Sequence, residues 1–267
     1  MEHHIILTLG RSGSNTLRDM MNQNPEILNF GEVLGDWNTI RKLQKRLPLM
    51  PRGNEAYLDW IMYSPRFRAM ANSVRSARKM LGREAGAAKR LAEVKTFGVK
   101  DFSLNFRRCG LLGYLDARPD IKVIGLQRDN VVDRMISNAM LGATGVIEVR
   151  RDSRAGKRTL RLDPARISQL LTDIEDENAE LQAMLDRLPT DRVMTIRYDD
   201  LFSDQATRHQ IMSDVFGFLG VRDMQTNERM KKIIKAPVRE VIENFDDCLN
   251  AVRGTPHWDL LRAAAGE

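Results

Sequence analysis

One group of residues in this sequence has the types and spacing to do chemistry on a phosphorylated ligand. It is Arg11-Ser12-Gly13-Ser14-Asn15-Thr16. Its glycine allows close backbone approach, and its hydroxyl and amide groups can donate to phosphate. Leu17, Met20 and Met21 follow at helical spacing, so the loop opens a helix. A helix start directs free backbone N–H groups and the positive dipole end at an anion. The loop is not a Walker A sequence, which needs lysine directly before the hydroxyl residue. Here Asn15 precedes Thr16, and the cation, Arg11, stands at the front. That order suits phosphate in the cradle with a guanidinium reaching the atom beyond it, rather than a magnesium triphosphate.

Further on, Arg128 follows an apolar strand and Ser137 lies nine residues beyond it. By itself this stretch reads as a capped helix, with Asp129 at its start and Arg134 on its exposed side.

Together these residues resemble the sulfotransferases that use 3′-phosphoadenosine 5′-phosphosulfate (PAPS). Their 5′-phosphosulfate loop reads [Lys/Arg]-Ser-Gly-[Thr/Ser]-Thr between a strand and a helix. Arg11-Ser12-Gly13-Ser14 matches it; Asn15 stands where the second threonine is usual, and Thr16 is displaced by one. Asn24-Pro25-Glu26 and Gly31-Glu32 resemble the protein-tyrosine and bacterial carbohydrate branches. The resemblance implies that Ser12, Gly13, Ser14, Asn15 and Thr16 cradle the cofactor with Arg11, and that Arg128 and Ser137 take its 3′-phosphate. It places Tyr198, in Tyr198-Asp199-Asp200-Leu201, near the adenine, although a core tyrosine at a helix start fits equally. It assigns Lys232, with Lys235 in reserve, to closing over the phosphates, as part of a tail that ends Ile242-Glu243-Asn244-Phe245 and Gly254-Thr255.

The implied reaction is in-line sulfuryl transfer to an acceptor hydroxyl, releasing adenosine 3′,5′-bisphosphate. It requires no metal in principle, because fixed cations can stabilise the leaving phosphate. Glu32 is the expected general base, with Asp36 and Asp101 next in line. Arg11 is the expected leaving-group cation, and Lys100 assists or binds the acceptor. The rival readings are a P-loop-type nucleotide or adenylyl-sulfate kinase, a basic nucleic-acid-binding protein, and a degenerate member that binds cofactor without turnover. The first lacks its Gly-Lys-[Ser/Thr], and the second lacks an RNP, zinc or helix-turn-helix signature. The acceptor stays open among glycan, lipid, peptide tyrosine and small alcohol.

Composition fits a globular chain of 267 residues carrying a net charge of +6. An anionic cofactor accounts for such a balance without nucleic acid. The basic excess gathers at Arg66–Arg90 and Arg150–Arg161, read either as solvated faces or as guidance for an anionic acceptor. No apolar run reaches membrane-spanning length. With no signal-type segment, and with Cys109 and Cys248 read as reduced thiols, a cytoplasmic location is expected.

The elements that must position these residues alternate as in a three-layer, doubly wound α/β domain with a P-loop-like parallel sheet. Strands are expected at Ile5–Leu9, Ile27–Phe30, Phe97–Lys100, Lys122–Leu126 and Val193–Ile196. Helices are expected at Thr16–Gln23, Asn105–Ala117, Asn130–Leu141 and Pro164–Arg187. Residues 36–93 read as a mostly helical insertion and 142–163 as a basic hairpin for acceptor recognition or subunit contact. The C-terminal part is helical, and the whole of 1–267 is taken as one domain. Of the four histidines, His3 and His4 are read as preceding the first strand, and His209 and His257 as lying in helical parts; none is a strong base candidate.

Overall fold

The computed structural model describes residues 1–47, 49–80, 89–144, 159–229 and 237–266. In chain order the elements are β1 (Glu2–Thr8), α1 (Ser14–Met21), β2 (Ile27–Asn29), α2 (Thr39–Arg46), α3 (Asn54–Tyr63) and α4 (Pro65–Met80). Next come β3 (Thr96–Phe102), α5 (Ser103–Arg108), β4 (Ile121–Gln127), α6 (Val131–Thr144), α7 (Ile167–Asp186) and β5 (Val193–Arg197). The chain ends with α8 (Tyr198–Leu201), α9 (Gln205–Phe218), α10 (Val238–Val241), α11 (Phe245–Ala251) and α12 (His257–Ala265). All five expected strands form. The two compact units are residues 1–127 with 180–228, and residues 128–179 with 229–267.

The first unit holds a five-stranded parallel sheet in the order β2-β3-β1-β4-β5. Side chains alternate faces along a strand, and β1 shows both faces covered. Ile5 and Leu7 pack in a core with α3, α4 and the last turns of α7, whereas Ile6 packs with α1 and α9. All three are fully buried, each contributing about 1.5–3 kcal/mol of apolar burial. Helices on both faces of a parallel sheet make the three-layer, doubly wound arrangement.

Three expectations change here. Strand β1 starts at Glu2, so His3 and His4 lie inside it. His4 is fully buried; its Nδ1 lies 2.8 Å from Thr96 Oγ1, and Asn29 Nδ2 donates to its Nε2 at 3.1 Å. His4, Gly98 and Asn29 form one row across three strands. Glycine is required in the middle, because a Cβ on Gly98 would sit 2.1 Å from the His4 carbonyl oxygen. Second, the helix expected at Asn105–Ala117 is only Ser103–Arg108, stopped by Gly110 at φ +68°. Third, the basic residues around α4 are not all solvated. Arg75 donates to the Asn22 carbonyl, Lys89 to those of Asn24 and Ile27, and both are buried.

The second unit packs α6, the start of α7 and α10–α12 around Met135, Ile136, Ile167, Leu171 and Cys248. Leu160 pairs with Ile242 in a parallel bridge, and Asn244 clasps both the N–H and the carbonyl of Leu162. The Ile-Glu-Asn-Phe segment therefore holds down 160–162. The first limb and turn of the expected hairpin lie outside the described residues. Arg134 is buried rather than exposed, held by Glu177 and Asn178. The α6 cap is Asn130, whose Oδ1 accepts the Asp133 N–H, rather than Asp129. His257 is a packing residue between Ser168 and Glu175.

Candidate functional site

The loop between β1 and α1 is built to leave backbone N–H groups outward. Hydrogen bonding within α1 begins at Thr16 and Leu17, both to the Gly13 carbonyl. The preceding N–H groups point along the helix axis away from it. Arg11 sits at φ +64° and Gly13 at φ +76°. Positive φ at a non-glycine residue is costly and clusters at ligand-binding turns. Left-handed residues in such a turn aim successive N–H groups into one concavity.

The loop is pinned from within. Ser12 is fully buried, and its hydroxyl donates to the Leu9 carbonyl at 2.6 Å and lies 2.5 Å from Thr8 Oγ1. The Ser12 hydroxyl is therefore engaged within the loop. Beneath the loop, Tyr198 stacks on Phe202 with ring centroids 4.5 Å apart. A Cβ on Gly13 would lie 2.5 Å from Phe202 and 3.0 Å from Tyr198. Ser14 and Thr16 are largely buried, and Asn15 is half-buried.

Strand alternation explains how Lys100 reaches the loop. Lys100 stands in the same row as Ile6 and Ile124, so its side chain emerges on the α1 face. There Nζ donates to Asn15 Oδ1 at 3.1 Å and pairs with Glu32 Oε1. The second Glu32 oxygen accepts the Trp37 indole N–H at 2.8 Å. Asn15, the departure from the family loop, is thus the residue that links the loop to Lys100. Lys100 is almost wholly buried, and burial pushes its pKa down while Glu32 pushes it back up. The ammonium also lies 4.8 Å from the Phe102 ring centroid.

Asp101, one residue on, faces the other side. Its Oδ2 accepts the Val33 and Leu34 N–H groups at 2.8 and 2.7 Å, and its Oδ1 accepts from Phe102 N–H and Asn105. Asp101 is a buried brace for the segment that carries Glu32; burial raises its pKa. Asp36 is exposed and pairs with Lys45. Neither shares the position of Glu32 beside the loop.

Sequence reasoning missed two neighbours. Arg18, on α1, lies against Gly31: a Cβ there would sit 2.4 Å from Arg18 Nη1. Gly31 also has φ +105°, so glycine is required twice over. Arg18 adds positive field at Lys100, and its Nε is buried without a hydrogen-bond partner. The spacing of Arg18 from the loop along α1 could have flagged it. Trp37 lies in a loop, where no periodicity predicts contact.

In the second unit, Arg128 directly follows β4 and donates to Asp133 Oδ2 at 3.1 Å. Ser137 lies four residues beyond Asp133 on α6, so both share a helix face. Lys232 and Lys235 lie outside the described residues. Among the described residues, no group of three or more His, Cys, Asp or Glu could hold a metal ion.

A model of the sulfotransferase family matches residues 5–225. The chain belongs to the sulfotransferase family. The loop, the Gly31-Glu32 segment and the parallel sheet from Ile5 onward fall inside the matched range. No curated protein matches the chain. Among solved structures, a sulfotransferase from Alicyclobacillus acidocaldarius shares 17% identity at TM-score 0.48, covering 100% of this chain and 96% of that one. The sulfotransferase domain from the curacin biosynthetic pathway gives 17% and 0.48, covering 99% and 96%. That of the Synechococcus PCC 7002 olefin synthase gives 16% and 0.40, covering 99% and 86%. Likeness at this level adds nothing to the family match. No described helix is long and apolar enough to cross a membrane.

Proposed function

We propose that this sulfotransferase moves a sulfuryl group from PAPS to an acceptor hydroxyl, with Glu32 as general base. The observation that carries the reading is the linkage Asn15–Lys100–Glu32, which ties a carboxylate to the start of the anion-binding helix. The left-handed Arg11 and the helix-start N–H groups of the loop fit a phosphosulfate there. When bound, PAPS supplies the activated sulfuryl group. Glu32 takes the hydroxyl proton as the acceptor oxygen bonds to sulfur. Arg11 and Lys100 meet the charge that grows on the bridging oxygen as its bond to sulfur breaks. Arg128 and Ser137 are assigned to the 3′-phosphate, Tyr198 to the adenine side, and Lys232 or Lys235 to closure, all on the family resemblance. The reading treats 1–267 as one catalytic domain, and the free thiols Cys109 and Cys248 suit a cytoplasmic setting. The acceptor is a hydroxyl compound, carbohydrate or anionic ones included.

Calorimetry with adenosine 3′,5′-bisphosphate and AMP tests the cofactor assignment. The bisphosphate should bind far more tightly. Arg128→Ala should cost it about 1.5–3 kcal/mol, the range for hydrogen bonds to charged groups, with AMP nearly unchanged. Equal affinity for the two nucleotides removes the 3′-phosphate site. Turnover from PAPS should persist in EDTA, whereas magnesium-dependent phosphoryl transfer from ATP would favour the kinase reading.

A further inference from the structure

The segment that follows Glu32 carries exposed leucines and cations that the proposed reaction does not use. From Trp37 to Asn54 there is no acidic residue, while Arg41, Lys42, Lys45, Arg46 and Arg52 are basic. Four large apolar side chains in this segment are exposed: Trp37 (54%), Leu43 (44%), Leu47 (48%) and Leu49 (99%). The orientation of α2 is fixed from its inner side. Arg41 is buried, donates to Gln44 and Asn54, and lies 5.0 Å from the Tyr57 ring centroid. With Arg41 inward, Leu43 and Leu47, one turn apart, face outward, and Lys42 and Arg46 flank them. Asp36 neutralises only Lys45.

Exposed leucines and a tryptophan beside the exposed Lys42, Arg46 and Arg52 combine an apolar face with positive charge. Apolar side chains that enter the acyl boundary, with cations left at headgroup level, are the recognition chemistry of an anionic bilayer surface. Tryptophan belongs at the same depth. We propose that Trp37, Leu43, Leu47 and Leu49, together with Lys42, Arg46 and Arg52, form a peripheral docking surface for anionic membranes. Trp37 belongs to this surface and also donates to Glu32. Docking therefore brings a bilayer-borne hydroxyl to the candidate base, a consequence that rests on the sulfuryl-transfer reading; the docking itself does not.

Co-sedimentation with vesicles tests it without any turnover. The protein should pellet with phosphatidylcholine vesicles containing about a third phosphatidylserine, and release as salt rises. It should stay in solution with phosphatidylcholine alone. The paired substitutions Leu47→Ser and Leu49→Ser should lower partitioning roughly tenfold or more. Lys42→Glu with Arg46→Glu should do likewise, with circular dichroism unchanged in both variants. Failure to pellet with anionic vesicles overturns the proposal, as does equal binding to neutral ones or full binding by folded variants. Light scattering in the absence of lipid covers the remaining occupant: a dimer that the serine variant dissociates assigns the face to a second copy and overturns membrane docking. Loss of PAPS binding or turnover would leave these vesicle results unchanged, so failure of the enzymatic reading is seen separately.

Discussion

Glu32 has both carboxylate oxygens engaged, one by Lys100 and one by Trp37. The two contacts hold the carboxylate in one orientation, as the proposed base role requires. Glu32→Gln should therefore leave bisphosphate affinity intact and lower kcat about 10²–10⁴-fold, the range for a general base. Near-normal kcat with the true acceptor would make Glu32 structural. Arg11→Ala should behave differently, weakening nucleotide binding and turnover together. Lys100 touches both Asn15 and Glu32, so Lys100→Met should strand a carboxylate beside the loop. Its loss should appear in kcat more than in bisphosphate affinity, as steady-state kinetics and calorimetry together would reveal.

At the scale of elements, the site depends on a short strand and on a brace behind it. β2 is only Ile27–Asn29; beyond it two backbone bonds, from the Phe30 N–H to the Gly98 carbonyl and from the Lys100 N–H to the Gly31 carbonyl, hold the chain to β3. Past Gly31, Asp101 takes over through the Val33 and Leu34 N–H groups. Asp101→Asn turns an amide donor toward groups that need an acceptor. The cost should be about 1–3 kcal/mol in chemical denaturation, with kcat lowered because Glu32 shifts. If stability fell and kcat did not, the brace would serve the fold alone. Gly98→Ala is the more severe change. The added Cβ would meet backbone, the His4 carbonyl oxygen at 2.1 Å, and strands β1 and β3 cannot separate without losing their ladder. A destabilisation of about 1–3 kcal/mol or more is expected, read from the urea midpoint.

For the molecule as a whole, His4 makes stability depend on pH. Burial, with His3 and Lys89 adding to it, lowers its pKa from 6.5 to about 3. The unfolded chain therefore binds a proton below about 6.5 that the folded chain refuses until about 3. Stability is fully present above the higher value and is lost as pH falls through that window, by an amount on the order of a few kcal/mol. Thermal melts from pH 7 downward should show the loss. His4→Gln should begin less stable and fall less steeply; an identical slope would mean that other groups govern the acid limb.

Much of this protein was legible before any fold was known. The strand–loop–helix at 5–21 is local: an apolar β run, glycine and a helical period each act within a few residues. The same holds for all five strands and for the helix at 257–265. Helix α5 was overestimated because its period continues past Gly110, while the left-handed backbone there ends it. What the sequence could not determine is pairing across the sheet. That Lys100 faces α1 and Asp101 faces away follows from register, which places Lys100 beside Ile6 and Asp101 beside Leu7. Two adjacent charged residues thereby received opposite roles, one beside the candidate base and one bracing it from behind. Arg75, Lys89 and Arg134 look like surface charge in a linear reading. Tertiary packing buries each against carbonyls or a carboxylate, because a buried cation persists only where such partners converge. Local periodicity determined the elements and the loop, whereas strand register and long-range burial decided which charges became chemistry and which became scaffold.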